Sequence, residues 1–239
     1  MSISSSQSGT SRRRGRRPGP AQEVQEAEAP WRLPDLPALL TLAVILALLM
    51  ALGFGLWKAV EVKPAGPFAK CKTAAQLGPH LYAGPPAMCI DVNKTYMANL
   101  YTTRGTIGIS MIAKDAPQTV NNFIVLGVNG YYNGLGFWRI EKWIIQGGDP
   151  SGDGTGGPGY TLPPEANSSA WAPGSVGMAR DPSGPVNGSQ FFFLKDAWPG
   201  SGPGGVVYNQ FGTALIGFEL VGQLNDSDRV LGFDVKLQS

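Results

Sequence analysis

Between Leu36 and Trp57 the chain reads LPALLTLAVILALLMALGFGLW, 22 residues with no charge and one hydroxyl, Thr41. As a helix, a run of this length spans a hydrocarbon core of about 30 Å. It divides the chain into a short N-terminal part and a long C-terminal one. A removable secretion signal has a shorter apolar stretch, nearer the terminus, and small residues at a cleavage site. This run has neither, so a single transmembrane anchor is expected, with the lipid bilayer as a partner through residues 36–57. Arg12, Arg13, Arg14, Arg16, Arg17 and Arg32 precede it, and Lys58, Lys63, Lys70 and Lys72 come after it. That bias keeps the N-terminus in the cytoplasm and sends the rest of the chain across the cell membrane.

Residues 1–35 hold RRRGRR at 12–17 and the polar stretch AQEVQEAEAP. They carry too little apolar surface to offset the entropy of ordering, and read as a disordered cytoplasmic tail whose basic run is a topology signal. Residues 58–94, with proline and glycine through 64–86, read as an extracytoplasmic linker. Cys71 and Cys89 lie in it, and outside the cytoplasm two nearby thiols commonly oxidise to a disulfide; two buried free thiols are the other reading.

The chain has 33 Gly and 20 Pro in 239 residues, with 15% charged residues and a net charge of +2. Low charge argues against a helical bundle, and +2 is too small to argue for nucleic acid. From Tyr96, YMANLYTTRGTIGISMI alternates polar and apolar residues around a turn, as two strands of a hairpin do. APQTVNNFIVLGVNG (116–130) places Val120, Phe123, Ile124 and Val128 at helical spacing, with Pro117 tolerated in the first turn. GFELVGQL (217–224) is a second, shorter helix. Between and after them come short apolar runs separated by Gly/Pro turns, the pattern of a barrel or sandwich.

The chemistry that is missing narrows the function. The single histidine, His80, falls in the linker and reads as a solvated loop residue, so no Ser-His-Asp, Cys-His or His-ligated metal constellation is available. No metal site and no cofactor is expected. GTGGPG at 154–159 matches the spaced-glycine pattern of dinucleotide-binding turns, but that pattern carries phosphate only where a helix leaves it. Here Pro163 and Pro164 come next and no helical repeat begins, so the segment reads as a surface loop. Asp149 and Asp153 read as turn formers, since DPSGD lacks the ligand periodicity of a calcium loop.

TTRGTIGISMIAKDAPQTVNNFIVL, YYNGLGFWRI, IIQGGDPSGDGTGGPGY, GSVGMAR, NGSQFFF and YNQFGTAL succeed one another in this order. Collinear, they resemble the cyclophilin-type peptidyl-prolyl cis-trans isomerases over residues 95–239, in a form similar to bacterial members. The resemblance implies a mainly β fold, a closed eight-stranded antiparallel barrel capped by two α-helices. It implies catalysis of rotation about X-Pro peptide bonds in proline-containing polypeptides, here in the folding of secreted or envelope proteins. A Pro-peptide binding module of weak turnover on the same barrel is the alternative.

By position, Arg139 matches the arginine that contacts the substrate carbonyl and prolyl nitrogen, and Gln146 a polar residue that positions the substrate backbone. Gln190 matches another such residue, Phe192 the floor of the proline pocket, and Ala179 a small residue of the groove. Trp143 stands where the pocket has a phenylalanine, with Ile144 beside it where methionine or valine is common. Arg180, Tyr208 and Trp198 match further groove positions. Two departures stand out: Trp138 replaces the histidine that usually precedes the arginine, and IEKWII between Arg139 and Gln146 is one residue shorter than usual. A one-residue loss in a strand reverses its facing unless a turn or bulge absorbs it, so a shortened turn is expected at Glu141–Lys142.

Overall fold

The structure, a computed structural model, describes residues 66–166, 169–181, 184–200 and 203–238, together with Thr41 and Val44. The expected tail (1–35) lies outside these residues, as does the 36–57 run apart from Thr41 and Val44, which are helical. Among the described residues no helix is long and apolar enough to cross a membrane.

Eleven strands run through the described chain: β1 (Gln76–Gly78), β2 (Leu81–Tyr82), β3 (Thr95–Thr102), β4 (Gly105–Ile112), β5 (Phe137–Ile140), β6 (Ile144–Gly147), β7 (Thr161–Leu162), β8 (Ser175–Arg180), β9 (Val186–Leu194), β10 (Gln210–Ile216) and β11 (Val230–Leu237). Two helices, α1 (Pro117–Val128) and α2 (Phe218–Val221), accompany them. The hairpin read at Tyr96 is β3–β4, paired residue for residue from Thr95↔Ile112 to Thr102↔Gly105. The second helix is one turn, shorter than 217–224.

The main sheet runs β11-β3-β4-β10-β8-β9-β6-β5, antiparallel throughout, with β7 paired to β9. It is open, a half-barrel rather than the closed barrel expected. Its edge strands β5 and β11 meet at one end only, through the single bridge Gly136↔Arg229 and the bonds Gly134 N–H to Val230 O (2.7 Å) and Val230 N–H to Leu135 O (2.9 Å). The turns at 130–134, with Gly130 and Gly134 both at positive φ, delay β5 until Phe137, leaving no ladder to zip along β11. Closure requires such a ladder along the whole edge.

Alternation decides what the sheet buries. On β9 the run FFF cannot alternate apolar with polar, because both faces are covered. Phe191 and Phe193 enter the main core, whereas Phe192 and Leu194 join a separate apolar cluster on the opposite face. In the main core Phe123 of α1 meets Tyr132, Phe191, Phe211 and Phe233 with ring centroids 4.8–5.5 Å apart. Burying one such ring stabilises the fold by about 1.5–3 kcal/mol. No side chain of the helix's own N-cap satisfies its first amides; Glu165 does so from a distance, accepting from the N–H of Gln118 (2.9 Å) and Thr119 (2.8 Å). A carboxylate at that end is favoured by the helix dipole.

Residues 66–94 form a packed arm rather than a free linker. Cys71 and Cys89 are joined by a disulfide, with Cα atoms 5.4 Å apart. Phe68, Cys71 and Tyr82 are buried in the main core. Asn129 donates to Cys71 O (2.9 Å), Asn121 accepts from Cys89 N–H (2.9 Å), and Tyr82 N–H donates to Pro158 O (2.9 Å). His80 is a loop residue as read, but only partly solvated. It sits in the two-residue turn between β1 and β2, half-buried at φ 57°, its ring edge-on to Tyr131 at 5.0 Å.

Candidate functional site

Strand register brings the site together. Arg139 of β5 pairs with Gln146 of β6, Gln146 with Phe192 of β9, and Phe192 with Gly177 of β8. Directly paired residues of neighbouring antiparallel strands point to the same face. A cation, an amide, an aromatic ring and a bare glycine thus stand in one row across four strands, on the face opposite the main core. The shortened segment leaves this row intact. Its turn spans Glu141–Trp143, closed by Glu141 N–H donating to Ile144 O (3.0 Å), and the ladder shifts register between Phe137 and Arg139. That turn lies where the shortening was expected to fall, and the strand before it carries a bulge at Trp138.

The row's Phe192 also belongs to an apolar cup with Ile144, Ala179 and Leu194, all buried. Aromatic side chains wall it. Trp198 is their hub, within 5.1–5.9 Å of the ring centroids of Trp143, Trp171, Phe192 and Tyr208. Trp171 lies nearly parallel to Phe192, at 5.5 Å and 23°. The stacking requires Gly177, where a Cβ would fall 2.6 Å from the Trp171 ring.

Beside the cup the glycine loop is held by amides. Gln190 accepts from Gln146 Nε2 (2.8 Å) and Trp138 Nε1 (3.1 Å), and its own Nε2 donates to Gly154 O (2.9 Å) and Gly156 O (2.7 Å). Asp149, buried, accepts from the N–H groups of Ser151, Asp153 and Gly154. Asp153 accepts from Thr155, as expected of a turn former. Gly154 sits at φ +95°, and a Cβ there would fall 2.6 Å from Trp138. The loop's glycines thus serve tight turning and close packing, with no helix behind them to hold phosphate.

The two arginines differ in what they can offer. The Arg180 guanidinium is spent on the carbonyls of Asp181, Gly184 and Val207. Arg139 is engaged only at Nε, by Glu141 at 2.7 Å, and lies 5.6 Å over the Trp143 ring. Its two Nη groups have no hydrogen-bond partner among the described residues. Glu141 also accepts from Trp143 Nε1 (2.8 Å), so one carboxylate ties cation and ring together. The hydrogen bond from Arg139 holds the Glu141 carboxyl below its ordinary range. Any stability this exposed pair contributes is present above the ordinary carboxylate pKa and is lost as pH falls through the lowered one. At neutral pH the pair is fully charged. No histidine or thiol lines the groove, and turnover is expected to be flat between about pH 6 and 8. A rate profile in that range checks this.

These side chains enclose one cavity of about 570 Å3. Arg139, Trp143, Ile144, Gln146, Ala179, Arg180, Gln190, Phe192, Trp198 and Tyr208 all line it, so every groove residue assigned from the sequence is brought to one place. Among the described residues no three His, Cys, Asp or Glu side chains are grouped to hold a metal ion. A cation with open donors beside an apolar cup can grip a small apolar ring and hydrogen-bond the amide next to it.

Sequence reasoning missed Glu141, Trp171 and Asn187. Asn187 lines the cavity and donates to Gly156 O (3.1 Å) while accepting from the N–H of Gln190 (2.9 Å). Trp171 carried a usable signal, a lone tryptophan in the Ala/Pro turn AWAPG directly before a strand. Trp171→Ala is expected to uncover one side of Phe192 and raise KM about five- to tenfold with kcat nearly unchanged, since an aromatic pair is worth about 0.5–1.5 kcal/mol beyond its area. Steady-state kinetics on a short X-Pro peptide check this.

Comparison with known proteins points the same way. Residues 97–236 match the family described as cyclophilin type peptidyl-prolyl cis-trans isomerase/CLD. A peptidyl-prolyl cis-trans isomerase of Synechococcus elongatus is 38% identical over 141 residues, 58% of this chain and 94% of that protein. One from Helicobacter pylori is 44% identical over 108 residues, 43% of this chain and 64% of its own length. The fold is similar to a Cryptosporidium parvum cyclophilin type peptidyl-prolyl cis-trans isomerase crystallised in the presence of the dipeptide Ala-Pro. That likeness has TM-score 0.52 at 27% identity and covers 60% of this chain and 99% of that one.

Proposed function

Because the chain belongs to the cyclophilin-type peptidyl-prolyl cis-trans isomerase family, we propose that this groove is where it accelerates rotation about X-Pro bonds. Proline-containing polypeptides are its substrates, and Arg139 is its principal catalytic side chain. The peptide C–N bond resists rotation by about 18–20 kcal/mol because it is partly double. Twisting it localises the lone pair on the prolyl nitrogen and removes conjugation from the carbonyl. A donor aimed at that amide binds the twisted form better than either planar one, and only such differential binding lowers the barrier. The open Nη groups of Arg139 supply donors that stay charged and are held in a rigid fork. Ile144, Ala179 and Phe192 form the cup for the proline ring; Gln146, whose side-chain carbonyl accepts no hydrogen bond among the described residues, takes the substrate backbone. No covalent bond is made or broken.

The observation that carries the reading is the paired row Arg139–Gln146–Phe192 with the cup that Phe192 joins. One observation favours the second reading, a Pro-peptide binding module of weak turnover: Glu141 already draws on Arg139. Following cis-to-trans conversion of a short X-Pro peptide with the full chain in detergent separates the two. Acceleration at catalytic concentration supports the isomerase, and binding without acceleration supports the module.

The site is placed outside the cytoplasm, on a single-pass anchor at 36–57, where clients would be secreted or envelope proteins. The uncharged run and the Cys71–Cys89 disulfide support this. Protease added to intact cells should remove the domain; a fully protected domain would contradict the orientation.

A further inference from the structure

The arm and the glycine loop enclose a second cavity, of about 620 Å3. Pro79, His80 and Leu81 of the β1–β2 hairpin form one wall; Pro150, Ser151 and the main chain of Gly156, Gly157 and Gly159 form the other, with Tyr160 between. Leu81 is 45% exposed there. The hairpin is fixed where it stands, because Tyr82 N–H donates to Pro158 O and the disulfide ties the arm's two ends.

Two features decide what such a space takes. No Asp, Glu, Lys or Arg lines it, so it offers nothing to a phosphate or a metal ion. Its walls are prolines, a leucine, a tyrosine, the His80 imidazole, the Asn187 amide, hydroxyls and glycine main chain, a mix of apolar surface and hydrogen-bonding groups that suits an uncharged polypeptide in extended form. It also adjoins the groove, since Thr155, Thr161 and Asn187 line both cavities. A chain whose proline lies in the cup therefore has a path across these shared residues to the arm.

We infer that the arm and glycine loop form a second subsite for the same client chain, binding an uncharged, apolar-bearing segment a few residues from the X-Pro pair. The inference rests on the isomerase reading for its substrate, and makes the protein select for unfolded chains over short peptides. An extended chain covers at most about 3.5 Å per residue, so the peptide is lengthened by several residues on each side of the X-Pro pair to follow the shared residues in either direction.

The test compares a tetrapeptide with a peptide lengthened in this way by uncharged residues, using the full chain in detergent. Wild type is expected to show a KM about tenfold lower for the longer peptide, on the scale of burying the exposed part of one leucine and its neighbours. Leu81→Glu is expected to abolish that preference and leave the tetrapeptide value unchanged. Leu77→Glu, on the same hairpin but outside the cavity, controls for damage to the arm and is expected to keep the preference. No preference in wild type, a preference that survives Leu81→Glu, or one lost equally in Leu77→Glu would overturn the subsite. If neither peptide is isomerised, the isomerase reading fails separately. Equilibrium binding of the same two peptides, fluorescently labelled, then decides the subsite by the same pattern.

Discussion

Arg139→Ala is expected to lower kcat/KM for a short X-Pro peptide by about 10²–10³-fold, the loss seen when one preorganised donor to a developing charge is removed. The side chain is partly exposed, its one ion pair joins two surface groups, and it takes no part in either apolar cluster. Such a pair contributes little to stability, so unfolding should be almost unchanged. Arg139→Lys is expected to restore little of the loss. An ammonium is a point charge without the planar fork: its three donors radiate from one nitrogen, so the atom that answers Glu141 cannot also present a parallel pair of donors to the amide. Circular dichroism confirms the fold, and cis-to-trans kinetics with all three proteins give the ratio. A drop of less than about threefold in Arg139→Ala would remove the residue from the catalytic role.

Reducing the Cys71–Cys89 bond, or replacing both residues by Ser, is expected to cost about 3 kcal/mol of unfolding free energy. The cross-link closes a short loop, with a sequence separation of 18, and opening it restores freedom to the unfolded chain. For a domain of this size that lowers Tm by roughly 6–12 °C. The measurement is thermal unfolding with and without reductant. Wild type should shift, and the Cys71→Ser/Cys89→Ser variant should not. Isomerisation of a short peptide should change far less than stability, because no residue of the arm lines the proline groove. An unshifted wild type would mean the packing of Phe68 and Tyr82 holds the arm unaided.

How far the sequence could be read depends on what kind of information each feature carries. The groove was legible because its residues lie within collinear motifs, and strand register then forces them onto one face: once Gln146 pairs with Phe192, Arg139 and Gly177 fall into the same row. The shortened segment was legible as a local matter, since a turn or a bulge can take up a one-residue change without altering the facing of the rest of the strand. The arm was not legible. Prolines and glycines mark 64–86 as irregular, but irregular chain can still be buried, and Phe68 and Tyr82 meet core residues far away in sequence. The partial burial of His80 was missed for the same reason: its partner, Tyr131, is 51 positions along the chain. Barrel closure depends on whether two edge strands can pair, which the turns before Phe137 prevent at all but one bridge. Glu141 bonds Arg139 and Trp143, two residues to either side, and reading it only as part of a turn hid that role; Trp171 acts on Phe192, 21 positions along the chain.

The groove turns X-Pro bonds over rather than only holding them. Exchange spectroscopy on a short X-Pro peptide with distinct cis and trans resonances measures this directly, at a protein concentration far below that of the peptide. The account predicts exchange between the two resonances within the measuring time with wild type, where the uncatalysed reaction takes tens of seconds or more, and exchange close to the uncatalysed rate with Arg139→Ala. Peptide binding to wild type with exchange no faster than in its absence would contradict it.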